Sequence, residues 1–251
     1  MDMRIRNLHF AVVWTAALLT AGSSLARADL IYDNGLPGGF LGYWGPDVCT
    51  DQSVGVRFTS TNDYAFDEVS LWLMNNDWSG STHPVVRVTL RPDWQQDGQS
   101  RPDPAVIEEM FVTVSTIGWL PILETAHSTD HPRLCAGRHY WIVAESAAPC
   151  GLDGVWVVSG EDTGFSANTN NGEWQAGGDG AVPGMQVRAT PLALGDMDGS
   201  GICDLEDVTP FVLALIDQPL TPDHVARADM NCDGAADGRD VQLFVDALIA
   251  N

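Results

Sequence analysis

The sequence predicts a mainly β protein, with an antiparallel β-sandwich or jelly roll over residues 29–190 and a small α-helical unit of two loop–helix repeats over residues 195–251. Three observations support this. Short β-rich runs alternate with turn-rich gaps through the larger part, and no convincing helix pattern interrupts them. Near the end, one twelve-residue acidic loop occurs twice, and an apolar helical pattern follows each copy.

Residues 1–28 have the pattern of a secretory signal peptide. Two arginines precede an apolar stretch of 15 residues from Leu8 to Gly22, which is too short for a comfortable membrane span. Ala26-Arg27-Ala28 matches the small-x-small cleavage pattern, so the mature chain is expected to begin at Asp29; an uncleaved anchor is the alternative. No later segment has the length to span a membrane, and we expect a secreted, extracellular protein.

The β-rich runs of the larger domain are typical of antiparallel strands. Several of them alternate apolar with polar residues, and Gly, Pro, Asn, Asp and Ser fill the gaps. Roughly seven to nine strands in a sandwich would account for this stretch. The predicted strands are Val54–Phe58, Phe66–Leu73, Val85–Leu90, Val106–Val114, His139–Ala144, Gly154–Val158 and Met185–Ala189.

The chain is strongly acidic, with a formal net charge of −22, and all 12 of its basic residues are arginine. Nucleic acid is therefore not expected as a partner, because recognition of its phosphates needs a basic face. The same charge favours solubility and the binding of cations.

The five cysteines fit an oxidising compartment, and an odd number leaves at least one outside any pair within the chain. Cys135 and Cys150 flank a strand-like run, and an extended strand holds its two ends apart. We therefore expect Cys49 to pair with Cys150. Cys203 and Cys232, one in each acidic loop, are a second pair that could form a bridge.

The two acidic loops, residues 196–207 and 229–240, share one design. Oxygen-bearing side chains stand at loop positions 1, 3, 5, 9 and 12 in both, and glycine stands at position 6, as Gly201 and Gly234. Calcium takes roughly six to eight oxygen ligands from alternate positions of a curling chain, and the glycine permits the sharp turn. Two solvated acidic turns are the alternative, but two loops in one register, each before an apolar helix pattern, favour calcium.

The order of loop and helix resembles a known family. A linker-like segment, residues 189–195, precedes the first loop, and position 12 is aspartate where an EF-hand has glutamate. Loop then helix, with this aspartate and one repetition, resembles the type I dockerin domain over about residues 195–250. The resemblance implies two Ca²⁺ ions and docking onto a cohesin-like protein module, mostly in polysaccharide-degrading assemblies. Carried over by position, it implies as ligands Asp196, Asp198, Ser200, Ile202 (carbonyl), Asp204 and Asp207, then Asp229, Asn231, Asp233, Ala235 (carbonyl), Asp237 and Asp240.

Apolar residues with helical spacing follow each loop, and we expect them to form the small core between two helices; a partner-binding face is the alternative. The stripes are Val208, Phe211, Val212, Leu215 and Ile216, then Val241, Phe244, Val245, Leu248 and Ile249. In dockerins, loop positions 10 and 11 contribute to specificity. Those positions are Leu205-Glu206 and Gly238-Arg239, so the two repeats do not present the same surface.

Parts of the larger domain, residues 67–71, 86–90 and 134–143, resemble secreted bacterial β-sandwich domains found beside surface-anchoring signals. Together with the dockerin-like tail, they resemble the modular secreted proteins of bacteria such as planctomycetes. The junction at residues 189–195 contains Pro191 and Gly195 and no long apolar run, so few obligatory contacts are expected across it.

Tryptophan is abundant in the larger domain, and its exposed rings could stack on sugars. Rings that cap the ends of the sandwich are the alternative. Tryptophans in strand patterns, expected in the core, are Trp72, Trp141 and Trp156. Those in polar, turn-like contexts, the candidates for a glycan site, are Trp44, Trp78, Trp94 and Trp174.

No catalytic constellation is found, and neither GxSxG nor HExxH occurs. Glu108 and Glu109 are adjacent on a predicted strand, so their side chains point to opposite faces and cannot act as a facing acid pair. Carboxylates without a motif are Glu145, Asp153 and Glu161, and the loop histidines of a less favoured zinc alternative are His83, His127 and His131.

These features predict a secreted, non-catalytic protein of two modules. The β-sandwich is expected to be the cargo or recognition unit, and the calcium-ordered tail the attachment unit. A glycan-binding component of a polysaccharide-degrading system is the alternative, and a divergent hydrolase is the third hypothesis.

Overall fold

The computed structural model describes residues 28–38, 43–116, 118–160, 164–170, 172–175, 178–216, 225 and 227–250. The predicted signal peptide therefore lies outside the described residues, except for its last position. The strands are β1 Asp29–Asp33, β2 Asp47–Val48, β3 Val54–Thr59, β4 Tyr64–Asn75, β5 Val85–Gln96, β6 Gln99–Pro102, β7 Glu108–Thr113, β8 Ile122–His127, β9 Arg133–Leu134, β10 His139–Glu145, β11 Gly154–Trp156, β12 Phe165–Asn170, β13 Glu173–Trp174, β14 Gly178–Asp179 and β15 Met185–Pro191. The helical elements are a 3-10 turn Leu205–Asp207, α1 Val208–Leu215 and α2 Val241–Ala250.

The strands form two antiparallel sheets, which confirms the mainly β prediction. The first sheet has the order β1-β15-β4-β11-β2, with β8 and β9 also paired to β4. The second has the order β13-β12-β3-β10-β5-β6, with β14 paired to β12 and β7 to β5. Each of the seven runs predicted as strands overlaps a strand of these sheets.

Alternation of apolar and polar residues explains how the sheets pack. In β7, buried and exposed residues alternate strictly along Glu108–Thr113, as a strand with one inward face requires. Residues from both sheets, among them Phe58, Phe66, Leu71 and Ile142, form one buried cluster. This cluster is the core of a β-sandwich, with the two sheets packed face to face.

The strands that sequence reasoning missed are short or polar. β12 contains two asparagines, a residue type that is depleted in strands, and it forms because its backbone pairs with the edge of β3 from Phe165 opposite Arg57 to Asn168 opposite Val54. β5 extends past the predicted end at Leu90 to Gln96, where it forms a hairpin with β6. β12 and the β5–β6 hairpin thus lie toward opposite edges of the second sheet.

Two disulfides join distant parts of the chain. The predicted Cys49–Cys150 bond is confirmed. Cys232 is bonded to Cys135, so the alternative pairing with Cys203 is wrong; Cys203 lies buried in the C-terminal core. The fold brings the end of β9 beside the second acidic loop, a proximity that no sequence spacing reveals.

The junction between the two parts also differs from the expectation. The predicted linker begins as strand, because β15 continues to Pro191 opposite Tyr64, and the N–H of Leu192 donates to the carbonyl of Asp63 at 3.0 Å. Together with the Cys135–Cys232 bond, these contacts make the prediction of few obligatory contacts wrong.

In the described residues of the C-terminal part, the helices α1 and α2 pack around a core of their own. The rings of Phe211 and Phe244 stack with centroids 3.9 Å apart and an interplanar angle of 7°. Met197, Ala228 and Met230 pack against them and are buried. The apolar stripes thus form a core between the helices, as predicted, although part of each stripe is exposed. Among the described residues, no helix is long and apolar enough to cross a membrane.

Candidate functional site

The first acidic loop curls around the carboxylate of its own first residue. Asp196 is only 2% exposed. Its Oδ1 accepts a hydrogen bond from the backbone N–H of Ser200 at 2.9 Å, and its Oδ2 accepts one from the backbone N–H of Gly201 at 2.9 Å. Gly201 has a φ of +95°, which glycine adopts without the strain that a Cβ would bring. The predicted role of this glycine in the turn is therefore confirmed.

The last residue, Asp207, closes the loop from the other side. Its Oδ1 accepts from the backbone N–H groups of Met197 at 2.6 Å and Asp198 at 3.0 Å, and its Oδ2 accepts from the N–H of Asp204 at 2.7 Å. Asp204 in turn accepts from the N–H of Glu206 at 2.8 Å, which completes a capping box at the 3-10 turn before α1. One oxygen each from Asp196, Asp198 and Asp207 lie within 4.8 Å of one another.

The second loop repeats most of these contacts at the same loop positions. Asp229 accepts hydrogen bonds from the backbone N–H groups of Asp233 at 3.1 Å and Gly234 at 3.0 Å, the same positions that Asp196 uses in the first loop. Asp240 accepts from the N–H groups at loop positions 3 and 9, at 2.9 and 2.8 Å. Gly234 has a φ of +92°, close to that of Gly201. The two loops are therefore alike in backbone path as well as in sequence.

The remaining predicted ligands of the first loop have local partners. The carboxylate of Asp198 accepts from the N–H of Ser200 at 2.9 Å, and this backbone hydrogen bond lowers the pKa of Asp198. The hydroxyl of Ser200 donates to the carbonyl of Ile202 at 3.2 Å, so the position 5 side chain and the position 7 carbonyl lie on the same side of the loop.

In the second loop, an arginine pairs with two of the predicted ligands. The side-chain oxygen of Asn231 accepts from the N–H of Asp233 at 2.8 Å, and Asp233 accepts from the N–H of Ala235 at 3.2 Å. The guanidinium of Arg239 pairs with Asp233 at 2.5 Å and with Asp237 at 2.8 Å. The side chain of Arg239 is 69% exposed, so these ion pairs are screened by solvent and easily exchanged.

Burial raises the free energy of the charged form of the four carboxylates at positions 1 and 12, because it removes their hydration. Asp196, Asp207, Asp229 and Asp240 are 2%, 0%, 9% and 0% exposed. Burial raises the pKa of Asp229, and the backbone donors Gly234 and Asp233 oppose this effect. Buried carboxylates need donors or a cation to compensate the lost hydration. All the predicted metal-ligand atoms in both loops are oxygens, and oxygen ligands suit a hard cation such as Ca²⁺ or Mg²⁺.

Each loop also has an arginine from outside it near its first carboxylate, which sequence reasoning missed. Arg227 donates from Nη1 to the backbone carbonyl of Asp196 at 2.8 Å and lies 3.4 Å from its Oδ2. Burial raises the pKa of Asp229, and the positive charge of Arg133 on β9 opposes part of this rise; the side chain of Arg133 itself pairs with Asp63 at 2.7 Å. Since Arg133 is far from the loop in sequence, only the fold could reveal it.

The surface near the loops exposes several apolar side chains. Leu205, at position 10 of the first loop, is 79% exposed, whereas the equivalent position of the second loop is glycine. On α1, Val212 is 48% exposed, and Ile216 just beyond its end is 58% exposed; on α2, Ile249 is 76% exposed. The two repeats therefore differ in surface, as predicted.

The tryptophans divide into buried and exposed residues largely as predicted. Trp141 and Trp156 are fully buried, and Trp72 is half-buried against a smaller cluster. Trp44, Trp78 and Trp94 are exposed, and Trp174 is half-buried. The exposed residues do not gather in one place. Trp78 stacks on Trp119 with centroids 5.5 Å apart, whereas Trp94 and Trp174 line a common groove elsewhere.

The scattered carboxylates outside the loops have structural partners. Glu108 is buried and accepts hydrogen bonds from Ser128 and Thr129, whereas Glu109 on the opposite face pairs with Arg87. Glu145 pairs with Arg87 as well, and one oxygen of buried Asp153 accepts from Asn76 at 3.1 Å. Glu161 lies outside the described residues.

The three histidines of the zinc alternative contact separate groups. The Nδ1 atom of His83 lies 3.1 Å from the carbonyl of Val114, that of His127 lies 3.1 Å from Glu68, and that of His131 lies 3.1 Å from Asp67. Two clusters with metal-compatible spacing occur among the described residues, and neither contains a histidine. They are Asp196, Asp198 and Asp207 in the first loop, and Asp63 with the disulfide-bonded Cys135 and Cys232.

Comparison with known proteins adds no assignment to this geometry. The chain matches no protein-family model, and no curated protein sequence matches it. The two acidic loops and the contacts around them therefore stand as the basis for a functional hypothesis.

Proposed function

We propose that residues 195–251 form a dockerin-like module, which binds two Ca²⁺ ions through its two acidic loops and attaches a secreted, non-catalytic protein to a cohesin-like partner. In this proposal the β-sandwich is the cargo or recognition unit. The observation that carries the proposal is the repeated fold of both loops, in which backbone N–H groups surround the buried carboxylates at positions 1 and 12.

Charge explains why such loops would take up a dication. The proposed ligand set of the first loop has four carboxylates, Asp196, Asp198, Asp204 and Asp207, and that of the second also has four. Like charges at this spacing repel one another, and a dication offsets part of that repulsion. Oxygens from positions 1, 3, 5, 9 and 12 and the carbonyl at position 7 would then surround the ion.

The helices would present the docking surface once the loops are ordered. Both helices follow directly from a loop, since α1 begins after Asp207 and α2 begins after Asp240. Two exposed apolar side chains near the first loop, those of Leu205 and Val212, favour a protein partner. Exposed apolar side chains that lie together commonly mark a protein interaction site. Because the two repeats present different surfaces, we expect the partner to dock in a single orientation, not in two orientations related by the repeat.

The test is capture of the full chain by a panel of immobilised type I cohesin modules, in calcium and in excess chelator. We expect capture in calcium and release by the chelator. Leu205→Asp should weaken capture while calcium uptake stays the same, and Leu152→Asp, at a sandwich residue that is 44% exposed, is the matched control. Capture that persists in chelator, or that Leu205→Asp leaves intact, would contradict the attachment role.

A further inference from the structure

Two hairpins from opposite edges of the second sheet form a groove on its outer side. β5 and β6 make one hairpin, and β12 and β13 make the other. Asp97 and Gly98 form the tight turn of the first hairpin, with φ values of +53° and +73°, a conformation that an Asp-Gly pair favours. The groove has a volume of about 630 Å³, within the range of small-molecule sites.

A buried apolar cluster of the sheet packs against Trp174, which lines the groove, and Gly55 lies beside both. Trp141, Val143 and Ala167 form a buried cluster on this side of the sheet, and Trp174 packs against it. A Cβ on Gly55 would lie 3.2 Å from Trp141, 3.4 Å from Pro102 and 3.5 Å from Trp174. The absence of a side chain at Gly55 thus lets both walls, Pro102 of β6 and Trp174 of β13, approach the sheet closely.

The walls combine indole rings with planar polar side chains. Trp94 is 41% exposed on one wall, and Trp174 is half-buried on the other. Gln99 and Arg101 stand beside Trp94 and are linked, because the Nη2 of Arg101 donates to the Oε1 of Gln99 at 2.9 Å. On the facing wall, the amide of Gln175 donates to the backbone carbonyl of Glu173 at 3.3 Å.

We propose that this groove binds a neutral oligosaccharide. A pyranose has an apolar C–H face that can stack on Trp94, and its edge hydroxyls both donate and accept hydrogen bonds, which suits the amides of Gln99 and Gln175 and the carboxylate of Glu173. The proposal is independent of the C-terminal loops, none of whose residues lines the groove.

Charge selects a neutral ligand over a charged one. Arg101 and Glu173 are the only charged residues that line the groove in the described part of the chain, and their formal charges cancel. The chain as a whole has a formal charge of −22, so an anionic polysaccharide would be repelled at long range.

The Trp78–Trp119 pair is the competing aromatic surface and supplies a control. Trp78 is 72% exposed, more than Trp94, but its ring lies against Trp119, whose N–H donates to Asn76 at 3.2 Å. This pair is not part of the groove between the hairpins. Trp78→Ala therefore removes an exposed indole of the same size from a different place.

The experiment is isothermal titration calorimetry of the full chain with cellohexaose, xylohexaose, mannohexaose and, as the anionic comparison, hexagalacturonate. We expect at least one neutral hexasaccharide to bind, and Trp94→Ala to weaken that binding about tenfold or more, as truncation of a central tryptophan does. Trp78→Ala should change the dissociation constant by no more than about twofold. Binding should be the same in calcium and in chelator.

The following results would overturn the proposal. One is binding of none of the three neutral hexasaccharides, and another is tighter binding of hexagalacturonate than of any neutral one. A wild-type affinity in Trp94→Ala, or a loss in Trp78→Ala, would place the site elsewhere. Should Trp94→Ala fail to fold by circular dichroism, Gln99→Ala and Glu173→Gln at exposed positions take its place, and unchanged binding in both would equally refute the groove.

Discussion

Cys135 of the β-sandwich is disulfide-bonded to Cys232 of the second acidic loop, across a sequence separation of 97 residues. The sandwich holds Cys135 in place, because its backbone N–H donates to the hydroxyl of buried Tyr140 at 2.8 Å. Cys232 stands at loop position 4 with a φ of +59°. The bond therefore ties the middle of the second loop to the sandwich, whereas neither of the two disulfides seen in the described part of the chain involves the first loop.

Removing this bond should destabilise the protein and weaken calcium binding at the second loop. For the double variant Cys135→Ser/Cys232→Ser, the chain-entropy argument predicts a loss of up to about 4–5 kcal/mol in the free energy of unfolding, because the bond closes a long loop. We expect calorimetry to show a lower calcium affinity for one site only. Urea unfolding followed by circular dichroism measures the stability.

The other disulfide supplies a matched control. Cys49–Cys150 has a nearly equal sequence separation, 101 residues, but lies wholly within the sandwich. Cys49→Ser/Cys150→Ser should cost a similar free energy of unfolding and leave both calcium affinities unchanged. Equal calcium binding by the two double variants would show that the tether to Cys135 has no effect on the second loop.

The first residue of each loop should be indispensable for one ion. Asp196→Ala and Asp229→Ala each remove a buried carboxylate around which the loop folds, so each variant should bind one Ca²⁺ where the wild type binds two. Glu206→Ala is the control, because it removes an exposed carboxylate from the first loop outside the proposed ligand set. A stoichiometry of two in either aspartate variant would mean that the ligands are misassigned.

Local sequence patterns were enough to predict the main strands, but they could not predict contacts between residues far apart in the chain. Alternation suffices to predict β7, where every second side chain is buried, and a continuous apolar run with β-branched residues suffices to predict β10, which is buried along most of its length. The seven-residue β15 likewise follows from its pattern. The Cys135–Cys232 bond depends instead on how two remote loops meet in space, and no pattern in either loop encodes that.

The acidic loops and the groove show the same contrast between local and long-range signals. Loop positions and glycines could be read from the sequence because every group of a loop lies within twelve residues. Arg133, which lies near Asp229, comes from another part of the fold. The groove of Trp94 and Trp174 needed the β12 pairing, which the polar sequence of that strand conceals; the Asp97-Gly98 pair was the one local signal for its first hairpin.

Asp77 should make the sandwich sensitive to acid. This buried carboxylate accepts hydrogen bonds from the hydroxyls and backbone N–H groups of Ser79, Ser81 and Thr82. The hydroxyl bonds from Ser79 and Thr82 contribute most to holding the pKa of Asp77 well below its ordinary range. Stability from this ionised group is fully present above the unfolded pKa of about 3.9 and is lost as the pH falls toward the folded pKa.

Asp77→Asn tests this linkage. The variant should be less stable than wild type at pH 7, and the difference in melting temperature should shrink as the pH falls from about 5 to about 2. Asp103→Asn, at a surface turn where the aspartate accepts one backbone hydrogen bond from Ala105, is the comparison. A difference between wild type and Asp77→Asn that stays constant over that range would contradict the assigned pKa shift.

Phe211→Ala should unfold the C-terminal part before the sandwich. The ring is 2% exposed and stacks on Phe244, so its removal leaves a cavity in a small core, at a cost of about 3–5 kcal/mol. Such a core has little stability to lose, and we expect the helical circular dichroism signal to melt at lower urea than the tryptophan fluorescence of the sandwich. Val212→Ala, one residue along the same helix but 48% exposed, should change the free energy of unfolding by about 0.5 kcal/mol or less. If both variants melt alike, the Phe211–Phe244 stack does not hold the two helices together.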